Sequence, residues 1–146
     1  MKKVITTTKV IATLALVALI LPTARPAAAD EHHVRVTLLP VGGSGVTGFV
    51  QLVQRPHEGG THITVVARGM APGSSHLSLY YENHTCEIEP YDPGDIIGGG
   101  PYRANAAGVG TTRGNVDDNL DEINSVSVRD AATFQLLACA DVHPGP

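Results

Sequence analysis

Asp30-Glu31-His32-His33 is the sharpest chemical arrangement in this 146-residue sequence. A peptidase cut after Ala29 would leave a free amine with His32 in third place. The amine, two deprotonated backbone amides and the imidazole then surround Cu(II) or Ni(II) in a square plane of nitrogens. Asp30, Glu31 and His32 are therefore the expected metal-binding residues, with copper the cofactor to look for; the competing reading is a frayed polar tail. His76 and His84 are expected as surface or turn residues on either side of a strand, with metal ligation the alternative for each. Glu82, Glu87, Glu89, Asp92 and Asp95 put five carboxylates within fourteen residues. Their oxygens would suit calcium, but the spacing is not that of an EF-hand, and acidic loops are commonly just solvated. Tyr80, Tyr81, Tyr91 and Tyr102 surround the same stretch, as an aromatic face or as packing. Asn83-His84-Thr85 has the form of a glycosylation sequon. No Gly-x-Ser-x-Gly elbow, phosphate-binding loop or Cys-His nucleophile pair is present, so no catalytic residue is nominated.

The elements that must position these groups begin with a leader. Lys2, Lys3 and Lys9 precede an apolar run from Val10 to Leu21, then Pro22 and the small residues Ala27-Ala28-Ala29. That order is a secretory signal peptide over residues 1–29, leaving a single domain over 30–146. The apolar helix would span only about 18 Å against a hydrocarbon core of about 30 Å, so no stable membrane anchor is expected. The chain carries a formal charge of −4; without the leader it keeps six Arg, no Lys and fourteen carboxylates, a charge of −8. Such an acidic, exported (periplasmic or extracellular) domain has no electrostatic case for nucleic acid or an anionic membrane. Its partner would be an extracytoplasmic protein or a small ligand.

An even pair of cysteines, Cys86 and Cys139, in an oxidising compartment predicts one structural disulfide. Period-two alternation predicts strands at Val34–Leu38, Val46–Leu52, Ile63–Arg68, Leu77–Glu82, Ser125–Arg129 and Phe134–Ala140. Glycine-rich turns separate them, and many short strands punctuated this way argue for a β-sandwich or barrel. Glu87 to Pro101 has no periodicity, three Pro and four Gly, and is expected to be an ordered irregular loop tethered beside Cys86. Asp117 to Glu122 is a second acidic loop.

Gly45-Val46-Thr47-Gly48-Phe49-Val50, Ile63 to Gly73 with His76 beyond it, Asn124 to Arg129, and Leu136 to Val142 together resemble the secreted Cu,Zn superoxide dismutases. The similarity runs from about Val34 to Val142 and rests on strand order and cysteine placement; chordin-like secreted β-domains share several of these features. The resemblance implies an all-β, eight-stranded Greek-key β-sandwich with one disulfide and a long irregular loop. It also implies copper on a His-x-His pair, a bridging His in the following loop and a late His. Here the pair falls on Leu79 and Tyr81, the loop after Cys86 has no His, and the late position is Arg129. The guiding Arg of the family falls on Leu136. The expected function is thus a non-catalytic superoxide dismutase-like domain acting as a binding or structural module. A metal-handling, copper-binding protein or degenerate dismutase is the alternative.

Overall fold

The computed structural model describes residues 32–144. The leader, its cleavage bond, and Asp30 and Glu31 of the expected copper motif lie outside the described residues.

Eight strands form: β1 (His33–Pro40), β2 (Thr47–Gln54), β3 (Thr61–Arg68), β4 (Ser75–Tyr81), β5 (Tyr102–Arg103), β6 (Gly110–Val116), β7 (Ser125–Asp130) and β8 (Leu136–Asp141). They make one antiparallel sheet in the order β5-β4-β7-β8-β1-β2-β3-β6, which curls until its edges β5 and β6 meet without a ladder. The result is a flattened, nearly closed barrel of two four-stranded halves. A two-pair ladder, Leu39 to Cys139 and Pro40 to Ala138, joins the halves on the closed side. β7 lies beside β4 at the end of the run β4-β5-β6, the Greek-key order expected for the chain.

Alternation decides which side chains enter the barrel. Val50, Leu52, Ile63, Val65 and Ala67 are wholly buried, as are Val126, Val128, Ala138 and Ala140 from the opposite half. The core is aliphatic, as two Phe and no Trp require.

Three elements depart from the sequence reading: β5, whose two residues are too few to alternate, β6 and β8. β6 was not anticipated, because its inward positions are Gly110, Thr112, Gly114 and Val116 and carry almost no apolar signal. Space explains this: a Cβ on Gly110 would lie 2.7 Å from Met70 Cε, and one on Gly114 would lie 2.6 Å from the backbone nitrogen of Gly98. The loop itself fills the interior there, and Thr112 Oγ1 donates to the Ile97 oxygen at 3.1 Å. Phe134, expected to open the last strand, instead sits in the β7–β8 turn with φ 63°. β8 begins only at Leu136, where a bulge between Val128 and Arg129 shifts the register.

Candidate functional site

β4 faces two ways. Ser78 and Tyr80 point into the barrel, whereas Leu79 and Tyr81 point out beneath the loop that follows Cys86. There they join Cys86, Phe134, Leu136 and Cys139 in a second, smaller core. Cys86 and Cys139 are disulfide-bonded with Cα atoms 5.9 Å apart, so the loop base is fixed to β8 as expected. The positions that the family resemblance assigns to copper ligands and to the guiding Arg thus do come together, as Leu79, Tyr81, Arg129 and Leu136.

What they build is not a metal site. Arg129 is 4 % exposed. Its Nε donates to the Tyr81 hydroxyl at 2.9 Å, one terminal nitrogen to the Phe134 oxygen at 2.9 Å, and the other to the Cys86 oxygen at 2.7 Å. The guanidinium also lies 5.4 Å from the Phe134 ring centroid. Both backbone acceptors belong to residues in the left-handed region, Cys86 at φ 56° and Phe134 at φ 63°, which side chains other than glycine adopt at a cost. Arg129 holds these two carbonyls in place, and Tyr81 passes the network to Ser127 Oγ at 2.8 Å. A permanent cation with all its nitrogens committed as donors has no lone pair for copper. Leu79 and Leu136 supply none either. The residues present do not fit a copper centre.

An acidic cleft of about 290 Å³ opens beside this core, lined by Tyr80, Glu82, Glu89, Asp95 and Asp118 among others. Burial, with Asp118 and Asp95 beside its hydroxyl, pushes the Tyr80 phenol well above its usual range. Glu87 is not part of the lining. Several of these acids serve the loop backbone: Asp95 accepts from the Asp92 amide at 2.9 Å and Glu89 from the Glu82 amide at 2.8 Å. Among the described residues no three His, Cys, Asp or Glu side chains converge on a point that could hold a metal ion. The calcium alternative gains nothing from this geometry.

His76 corrects the sequence reading. It is 3 % exposed rather than a turn residue, because β4 starts at Ser75 and alternation turns His76 inward. Its Nε2 meets Ser74 Oγ at 2.6 Å, and that hydroxyl's single hydrogen goes to the Ala71 oxygen at 2.5 Å. With that hydrogen committed, Nε2 is the nitrogen placed to donate to Ser74, and buried Nδ1 makes no well-formed hydrogen bond. Burial lowers the His76 pKa, opposed by the Asp130 carboxylate and the Arg129 backbone oxygen. His84 stays at the surface, 2.8 Å from Asp141. Asn83 of the sequon uses its amide nitrogen on the Glu87 oxygen and the Glu89 carboxylate, at 2.9 and 3.1 Å, so it organises the loop. The four tyrosines do not share a face. Tyr81 is buried, Tyr80 floors the cleft, Tyr102 bonds Ser78 at 2.9 Å, and exposed Tyr91 stacks on Phe134 at 5.8 Å.

His32 is exposed and precedes β1, with its backbone oxygen accepting from the Gln54 amide at 2.8 Å. It shares a groove with Asp121 and His143. Neither a protein-family model nor a curated protein matches the chain.

Proposed function

We propose that the protein is an exported, superoxide dismutase-like β-sandwich that works as a non-catalytic binding or structural module. The observation that carries this reading is Arg129, whose side chain closes the region where the resemblance calls for copper. Redox turnover of superoxide needs a metal held through two oxidation states by neutral nitrogen donors. A guanidinium clamped between two carbonyls and a phenol offers the opposite electrostatics. The disulfide supports an oxidising compartment. Among the described residues no helix is long and apolar enough to cross a membrane.

Copper enters this reading only at the amino terminus. Exposed His32, ahead of the first ladder, leaves room for capture by a free amine two residues upstream. The deciding experiment combines metal analysis of protein purified from its host with a superoxide turnover assay. The expected result is no turnover, and any copper present removable without lowering the thermal midpoint. Copper whose removal unfolds the barrel, together with superoxide turnover, would overturn the proposal.

A further inference from the structure

We propose that the outer face of the β1-β2-β3-β6 half binds a linear anionic glycan. These four strands, HVRVTLLP, TGFVQLVQ, THITVVAR and GTTRGNV, contain no Asp or Glu at all. Alternation turns Arg35, Arg68 and Arg113 outward, and all three are exposed. Register then lines them up. Arg35 pairs with Gln51, Gln51 with Thr64 and Thr64 with Arg113, so one straight row crosses the sheet with an arginine at each end. The next row runs from His33 through Val53 and His62 to Asn115. Among the described residues the ion pairs are Arg55 with Glu58 and His84 with Asp141, so none of the three outer arginines has a carboxylate partner.

Spacing and shape select the ligand. Strands about 4.8 Å apart place Arg35 and Arg113 about 14 Å from each other, and Arg68 stands about 13 Å along β3 from their row. Cations that far apart suit charges repeated along an extended polymer, not one phosphate or one metal–carboxylate group. All three arginines are exposed on the strand surface, so the face is open to an extended ligand. Phe49 sits mid-face with the Arg35 guanidinium 3.8 Å from its ring centroid. That plate, with Thr37 and Thr111 in its row, offers a sugar ring an apolar surface and hydroxyl partners. One aromatic is too few for a base-stacking platform. The overall acidity does not cancel the local field, because screening at physiological salt acts over about 8 Å.

The inference gives the module a ligand and rests on the proposed function in that sense alone. The test uses protein purified from its host on immobilised heparin at low salt, with single-stranded DNA and poly-glutamate as competitors. Retention that salt reverses is expected. Changing Arg35, Arg68 and Arg113 together to Gln should weaken it about a hundredfold, at about fivefold for each cation. Arg103→Gln, on the other half, should leave retention unchanged, and circular dichroism should show the triple variant folded. Equal retention of the triple variant and the unaltered protein would overturn the proposal. So would stronger competition by DNA or poly-glutamate than by free heparin at equal charge. Superoxide turnover by the same preparation would sink the module reading while leaving retention untouched, so the two failures are distinguishable.

Discussion

Arg129 and His76 lie on the paired strands β7 and β4, on opposite faces and one register position apart, and their polar groups are served very differently. Arg129 is satisfied and indispensable: Arg129→Leu leaves the buried Cys86 carbonyl and the part-buried Phe134 carbonyl without this donor, and Tyr81 with Ser127 alone. A loss of about 2–4 kcal/mol is expected, read from denaturant midpoints. Arg129→Lys should recover only part of it, because an ammonium cannot span three acceptors in the guanidinium's plane. His76 is the reverse, a buried base with one nitrogen unanswered. Since burial lowers its pKa, the unfolded chain takes up a proton near pH 6.5 while the folded chain does not. Stability is therefore full above that pH and falls as pH drops below it. Asp130, whose carboxyl is held down by hydrogen bonds from Thr133 and Ala132, adds a further loss below its ordinary value of 3.8. Unfolding midpoints at pH 7.5 and 5.5 should differ for the protein, and His76→Gln should flatten that difference. An unchanged slope in the variant would assign the acid sensitivity elsewhere.

At the scale of elements, the loop from Glu82 to Pro101 is held by chemistry at its base rather than by regular structure. Replacing Cys86 and Cys139 together by Ser opens a connection of 53 residues and should cost about 4 kcal/mol, seen as a lower thermal midpoint. Two thiols alkylated without prior reduction would contradict the bond itself. Gly114→Ala tests the other end of the loop. Its Cβ would press on the Gly98 backbone, so a loss of about 1–3 kcal/mol is expected from chemical denaturation. These two contacts also mark where the sequence was and was not legible. Strands with branched apolar residues on alternate positions, β1 to β3 above all, announce themselves, and so does the cysteine pair. β6 did not, because its inward face is glycine and threonine packed on loop backbone. Ser74-Ser75 reads as a turn and so hides that His76 belongs to β4. The acidic residues gave away the cleft's composition, but not that half of them hold up the loop. No local signal tied Arg129 to Cys86, which becomes its partner only when β4 pairs with β7, whereas Phe134 lies five residues on, across the β7–β8 turn.

The whole molecule segregates its charge in a way that net charge conceals. The four strands of the first half have no carboxylate; the described carboxylates lie in Glu58 of the β2–β3 turn, in the β6–β7 loop that packs on Gln54 and Thr61, and in the other half with its loops. The amino terminus adds its own expectation: cleavage after Ala29 should give a protein that takes up one Cu(II) with a violet band. The uptake should release protons and so strengthen as pH rises. His32→Ala should abolish the band and Arg129→Leu should not, and amino-terminal sequencing showing a start other than Asp30 ends the idea.

The pairing of the first strand with the last has a consequence in time. Leu39 meets Cys139 and Pro40 meets Ala138, a hundred residues later in the chain. A growing chain therefore holds β1 to β7 with no way to close the barrel until β8 has been made. Cys86 waits for its partner over the same interval. Contacts so distant in sequence make folding slow, on the order of milliseconds to seconds. Folding is thus a single late event, and a chain truncated before Leu136 should show no cooperative unfolding transition by circular dichroism.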